Sequence, residues 1–126
     1  MAKSKQTKMK EISFKTKWDV MERQGNRSLT GIYLSHPAFH HVVQRGSGRG
    51  VGFAFNIVAL TYEEHDRFHQ HLPITVHGEE MSWLQFKLYM EDYLKRIYPH
   101  WSEEACNYHP GWDEQDYWDA IEGRKK

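Results

Sequence analysis

The stretch that decides the fold runs from Phe39 to His69 and reads FHHVVQRGSGRGVGFAFNIVALTYEEHDRFH. Its first six residues, 39–44, include two valines and predict a β-strand. A Gly-rich segment, residues 46–52, predicts a tight loop. Residues 56–60 predict a second strand, because β-branched and other apolar side chains follow one another there. The stretch therefore predicts two strands joined by a Gly-rich loop.

A helix is predicted directly after the second strand, over residues 62–70. Thr61 and Glu64 have the spacing of a capping box, in which each side chain accepts a hydrogen bond from the other residue's backbone amide. His65 and His69 are four residues apart, so they share one face of this helix. Two imidazoles placed in this way can bind one metal ion.

His40 and His41 stand together on the first predicted strand. Alternation along a regular strand sends them to opposite faces, whereas a strand end or a bulge would let both approach the helix. Each signal alone is weak, because a His pair on a helix is usually surface decoration. A Gly-rich loop alone does not indicate a nucleotide site either. The combination of His-His, Gly-rich loop, Asn56 and His-x3-His within 30 residues is far more specific.

This combination resembles the motif of the HNH endonucleases, the ββα-metal finger. Members read His-His-hydrophobic, a Gly-rich loop, Asn-Leu and a helix that carries the last histidines. The resemblance covers residues 39–69, and the upstream segment KWDVMERQGNRSLTG is also similar to the lead-in of many members. Many bacterial and phage members carry Cys pairs in that lead-in and just before the final helix. The matching stretches here, residues 27–31 and 60–65, contain no cysteine, so the structural zinc ribbon is absent.

The resemblance implies both a fold and a function. The fold would be α+β, with a ββα-metal core over residues 39–70 wrapped by N- and C-terminal helices in one domain of 126 residues. The function would be metal-dependent hydrolysis of DNA, as in small phage-encoded nucleases of recombination or packaging. Two alternatives stay open: a non-catalytic DNA-binding or recombination-accessory protein on this scaffold, and a structural zinc module stapled by three histidines.

Roles for single residues also follow from the resemblance. His41 would be the general base that activates water, and Asn56 would orient its imidazole or brace the loop. The metal ligands would be His40, His65 and His69. The divalent ion would be manganese, nickel, zinc or magnesium, and imidazole ligands favour a transition ion over magnesium.

The distribution of charge fits either a solvated basic tail with an acidic surface, which charge alone slightly favours, or a polyanionic partner, which the resemblance identifies as DNA. Residues 1–50 carry ten Lys/Arg and three Asp/Glu, a net charge of +7, while residues 51–126 carry seven and fourteen, a net charge of −7. Arg45 and Arg49, in or beside the Gly-rich loop, are candidates to bind DNA phosphates, although a solvated loop explains them equally well. Residues 1–10, with four lysines, predict a disordered basic arm.

The flanking sequence predicts further helices around the strand pair. Residues 14–23 predict a short helix with Phe14 and Trp18 on one face. Residues 71–78 predict a loop, and residues 79–122 predict a helical C-terminal part.

Composition excludes several classes of protein. The chain has no long apolar run, which argues against a membrane span, and the lysine-rich start lacks the apolar region of a secretory signal. A single cysteine, Cys106, excludes an internal disulfide framework and a Cys-built zinc site. We therefore expect a cytoplasmic protein, in the host cell if the source is a phage.

Overall fold

The computed structural model describes residues 4–44 and 49–124, which form an α+β arrangement of helices and two small antiparallel sheets. The helices are α1 (Lys5–Lys10), α2 (Phe14–Gln24), α3 (Tyr62–His69), α4 (Trp83–Ile97) and α5 (Glu114–Ile121). The strands are β1 (Ala38–His41), β2 (Ile57–Leu60), β3 (Ile74–Val76) and β4 (Glu79–Met81). The predicted α+β class is confirmed at this level.

β1 and β2 pair antiparallel, with His40 opposite Val58. β1 ends at His41 rather than at residue 44 as predicted. Asn56 lies in a short 3₁₀ turn, so β2 begins only at the next residue. Val43 lies two residues after the end of β1. Its backbone amide donates to the Asn56 side chain instead of to a strand partner.

α3 begins at the predicted capping box and packs against β1 and β2. The Glu64 amide donates to the Thr61 hydroxyl at 3.0 Å, and the Thr61 amide donates to the Glu64 carboxylate at 2.9 Å. Phe68 is the buried apolar residue of this helix. The cap and this anchor fix the face on which His65 and His69 stand.

Hydrogen bonds join residues 27–31 to residues 60–65. These are the two stretches that correspond to the Cys pairs of many HNH endonucleases. The Thr30 hydroxyl donates to the second carboxylate oxygen of Glu64, and the Ser28 and Thr30 hydroxyls are 2.8 Å apart. All three side chains are buried. The Leu29 amide also donates to the Ala59 carbonyl, at 3.2 Å. A buried polar network thus holds the lead-in against the start of α3.

The guanidinium of Arg23 ties α2 to the strand pair and to α4. It donates to the backbone carbonyls of Ala54 at 2.9 Å and Ile57 at 2.6 Å. It also donates to the hydroxyls of Tyr93 at 3.1 Å and Tyr98 at 3.2 Å. The Arg23 side chain therefore satisfies two backbone carbonyls, one just before β2 and one at its first residue.

The prediction of a disordered arm is wrong for residues 4–10. α1 is capped by Ser4, whose hydroxyl accepts from the Thr7 amide at 3.1 Å. The end of α1 docks on the strand pair, because the Gly52 amide donates to the Met9 carbonyl at 2.9 Å. A Cβ on Gly52 would lie 2.2 Å from the Glu11 carbonyl oxygen, so the glycine permits this close approach.

The predicted loop over residues 71–78 is also wrong, because β3 and β4 form a hairpin there. The two residues between the strands, His77 and Gly78, both have positive φ, the conformation of a type I′ turn. Consequently the C-terminal part is not helical from residue 79. α4 begins at Trp83, after a capping box formed by Ser82 and Gln85.

The main apolar core lies where β2, α3, β3, α4 and α5 meet. Each of these elements contributes fully or almost fully buried side chains, among them Val58, Leu60, Phe68, Ile74, Phe86, Met90, Leu94, Tyr117 and Ile121. Cys106 is buried in the same core, and burial raises the pKa of its thiol. Within residues 4–44 and 49–124, every helix is too short or too polar to cross a membrane.

Replacing Arg23 with methionine should destabilise the fold strongly. Arg23→Met keeps an unbranched stem but leaves the Ala54 and Ile57 carbonyls without this donor, so the free energy of unfolding should fall by about 2–4 kcal/mol. Urea unfolding measures the loss, and Arg96→Met, an exposed arginine on α4, is the matched control. Equal losses in the two variants would contradict the anchoring role.

Candidate metal centre

Strand alternation and the helical i,i+4 spacing bring three histidines together. The ring centroids of His40 and His65 are 5.3 Å apart, and those of His40 and His69 are 5.4 Å apart. One ring nitrogen from each of His40, His65 and His69 lies within 4.8 Å of the other two. The three residues predicted as metal ligands thus form one cluster that can bind a metal ion.

The chemistry of these donors fits a divalent ion. His40 is 2% exposed, and its Nε2 atom is buried with no hydrogen-bond partner among the described residues. A buried polar atom without a partner is costly, so this nitrogen is a candidate ligand atom. The Nε2 atoms of His65 and His69 are 3.0 Å apart. Two nitrogens that bind one ion at about 2.1 Å lie about 3.0–3.4 Å apart, so this spacing suits a shared ion.

Burial keeps His40 and His65 in the form that binds metals. It lowers the pKa of His40 to about 3, and the neighbouring imidazoles of His65 and His69 act in the same direction. Burial followed by the His69 imidazole also lowers the pKa of His65. A neutral imidazole offers a lone pair to a metal, whereas a protonated one does not. His40 and His65 are therefore neutral at neutral pH, so an ion does not compete with an imidazolium proton for them.

His41 points to the other side of β1, as strand alternation predicts. Its Nε2 atom lies 2.8 Å from the Lys10 carbonyl oxygen at the end of α1. A carbonyl only accepts, so Nε2 carries the proton and Nδ1 is the basic nitrogen. Sequence analysis missed the contribution of Lys10, because a backbone carbonyl leaves no side-chain signal.

Asn56 is fully buried and braces the ends of the Gly-rich loop. Its side-chain oxygen accepts from the Val43 amide at 2.8 Å. Its side-chain nitrogen donates to the carbonyls of Val43 at 3.0 Å and Val51 at 2.8 Å. These bonds use both amide hydrogens. Of the two roles expected for Asn56, bracing the loop is the one that its hydrogen bonds serve.

The two predicted DNA-binding arginines fall in or beside this loop. Arg45 lies outside the described residues. Arg49 is exposed and has a positive φ of 54°. Its carbonyl accepts from the Tyr108 amide at 2.9 Å, which fixes its backbone against the C-terminal part. A role for Arg49 in DNA binding stays a prediction.

A cleft of about 600 Å³ opens beside His65, one member of the histidine cluster. His41 and His65 line it, and its other lining residues, among them Glu11, Lys17, Phe39 and Tyr62, were not selected as site residues by sequence analysis. The Lys17 ammonium lies 5.7 Å from the centre of the Phe39 ring. No local motif signals this set, because it depends on how α2 packs beside β1.

We find no match to this chain among protein-family models, curated proteins or solved structures. The resemblance of residues 39–69 to the HNH motif therefore stays a prediction from the sequence.

The metal-free protein should lose stability as the pH falls below neutrality. The folded-state pKa of His40, about 3, is below the value of about 6.5 expected in the unfolded chain. Between these values the unfolded chain binds more protons, so stability is full above pH 6.5 and declines toward pH 3. For His40 alone the loss from pH 7.5 to 5.5 should be about 1 kcal/mol.

Urea unfolding in a chelator at both pH values measures this loss. His40→Leu should reduce the difference between the two pH values, whereas the control His36→Leu, at an exposed histidine, should not. If both variants keep the full pH dependence, His40 is not the titrating group.

Proposed function

We propose that the protein is a metal-dependent endonuclease of the HNH type, which hydrolyses DNA phosphodiester bonds. In this proposal β1, β2 and α3 are the ββα-metal core. One observation carries it. His40, which converges with His65 and His69, has a buried nitrogen without a partner, while the next residue, His41, lines an open cleft. A ligand cluster beside a basic nitrogen at a cleft is the arrangement that hydrolysis of a phosphodiester requires.

The ligands of the proposed ion are His40, His65 and His69. A divalent ion held there supplies Lewis-acid stabilisation of the negative charge that develops on the scissile phosphate and the leaving oxygen. Three imidazole nitrogens favour manganese, nickel or zinc over magnesium, which prefers oxygen ligands. We expect cleavage to be fastest with manganese or nickel.

His41 acts as the general base in this proposal. Its Nδ1 atom takes a proton from the attacking water, and imidazole is the most frequent general base in enzymes. The Lys10 carbonyl, which accepts from Nε2 at 2.8 Å, holds the ring in the tautomer that this step requires. The same carbonyl dipole stabilises the imidazolium that the step creates.

Two alternative functions, a DNA-binding scaffold and a structural zinc site, can be distinguished from catalysis by experiment. A DNA-binding scaffold would not need His41, and a structural zinc site would make folding depend on the ion. The buried network of Ser28, Thr30 and Glu64, together with Arg23, already holds the lead-in and α2 against the strand pair. This favours a catalytic over a stapling role for the ion.

Cleavage should depend on His41, while metal binding should not. His41→Ala should bind manganese or nickel like the parent in calorimetric titration, because His41 is outside the ligand cluster. Nicking of supercoiled plasmid should fall by roughly 10²-fold or more. His65→Ala should lose both metal binding and nicking. His36→Ala, at an exposed histidine, is the control. Full nicking activity in His41→Ala would reject the nuclease mechanism.

The N-terminal helix should contribute to DNA binding through its lysines and to catalysis through the Lys10 carbonyl, and the two contributions can be measured separately. Replacing Lys5, Lys8 and Lys10 together with glutamine removes charge but keeps the carbonyl that accepts from His41. This variant should show a weaker salt dependence of DNA binding, by about 0.9 in the log–log slope per lost phosphate contact, with an unchanged kcat at saturating DNA. Deleting residues 1–10 should weaken the salt dependence and also lower kcat. Equal kcat in the deletion variant and the parent would contradict a positioning role for α1.

A further inference from the structure

α2 presents two large aromatic side chains to solvent. Phe14 is 81% exposed and Trp18 is 64% exposed. They are four residues apart and therefore share one face of the helix. The core-facing side of α2 is instead formed by Thr16 and Val20, which are buried. An exposed pair of large aromatic rings on a helix is typical of a binding surface.

The Trp18 ring is held in place at this surface. Its indole nitrogen donates to the Glu22 carboxylate at 3.1 Å, one turn further along the helix. This hydrogen bond uses the edge of the ring and leaves its face for a contact. Phe14 is the first residue of α2, after the Ser13 cap, so a capped helix end fixes its backbone. The two rings are thus preset on a rigid element, which lowers the entropy cost of binding.

This aromatic face is continuous with the cleft that contains His41. Phe14 and Trp18 line a groove of about 330 Å³, which is also lined by Lys17 and Phe39. Lys17 and Phe39 also line the larger cleft, together with His41. A chain molecule bound at His41 can therefore extend past Lys17 onto the two exposed rings.

The chemistry of this surface matches an unpaired nucleic-acid strand. Lys17 supplies a cation for the phosphate backbone, and Phe14, Trp18 and Phe39 supply ring faces on which bases stack. Residues 4–24 carry six basic and three acidic side chains, so the surrounding charge favours an anionic partner over a basic one. A duplex hides its base faces and cannot use the rings.

We propose that the α2 face, defined as Phe14, Lys17 and Trp18, binds unpaired nucleotides. The preferred substrate is then DNA that has a single-stranded segment next to the scissile bond, such as a flap, a branch or a gapped strand. This inference rests on the proposed function in taking DNA as the ligand. Phosphates bind beside Lys17, and the bases of the unpaired segment stack on Phe14 and Trp18.

Binding can be measured without cleavage, in a chelator, by fluorescence anisotropy of a labelled oligothymidine and of a duplex of equal length. The parent should bind the single strand more tightly than the duplex. The double variant Phe14→Ala/Trp18→Ala should bind it at least tenfold more weakly, because each lost stacking contact is worth roughly a factor of ten. Duplex binding should change little.

The matched control is the double variant Leu84→Ala/Leu88→Ala. These leucines are also four apart on one helix and are 55% and 49% exposed, but they line neither the groove nor the cleft. This variant should bind the oligothymidine like the parent. Thermal unfolding of both double variants verifies that each is folded.

Three results would overturn the proposal. The first is unchanged single-strand binding in Phe14→Ala/Trp18→Ala, and the second is equal affinity of the parent for single strand and duplex. The third is a change of oligomeric state in that variant while oligonucleotide binding stays the same, measured by sedimentation velocity. Such a result would mean that the face is a contact between copies of the protein. Since binding is measured without metal, a failure of the nuclease proposal leaves these results interpretable. Conversely, cleavage of a flap substrate by the double variant at the parent's rate would retain the nuclease and reject the stacking surface.

Discussion

The candidate site depends on one constraint, the burial of the His40 side chain of β1 against α3. Its Nε2 atom is removed from water and has no hydrogen-bond partner among the described residues. Low polarity keeps the ring neutral, and the capped helix holds His65 and His69 against it. One step along the same strand, alternation turns His41 outward into the cleft. A single strand thus places the proposed ligand His40 and the proposed general base His41 one residue apart, on opposite faces.

Hydrogen bonds between polar side chains and the backbone hold this arrangement. The buried contact between Thr30 and Glu64 joins the lead-in to α3, and Glu64 also caps that helix. Arg23 joins α2 to the strand pair, and Asn56 closes the Gly-rich loop through its amide. Each of these groups bonds to more than one partner. The geometry of the histidine cluster therefore depends on a few polar side chains whose loss the core would not compensate.

Local patterns in the sequence predicted the parts of the site that local interactions determine. The capping box at Thr61 and the helical spacing of His65 and His69 follow from adjacent residues alone. The alternative positions of His40 and His41 could be resolved only when the strand register was known.

Features that depend on long-range packing were not predictable. The Lys10 carbonyl reaches His41 only because α1 docks on Gly52, and lysine-rich composition alone favours a disordered arm. Similarly, the face of α2 with Phe14 and Trp18 has the apolar pattern of a core face, yet it lies at the surface. The core contacts of that helix come from smaller residues and from Arg23. The position of this face places the proposed surface for unpaired bases next to the cleft that His41 lines.

Locating a bound transition ion is the decisive measurement. Anomalous diffraction from crystals grown with manganese or nickel should show one ion about 2.0–2.3 Å from a ring nitrogen of each of His40, His65 and His69, with Nε2 as the ligand atom of His40. His41 should stay outside the ion's ligand shell and keep its hydrogen bond to the Lys10 carbonyl. An ion bound elsewhere, or one that leaves Nε2 of His40 without a ligand, would contradict the metal centre described here.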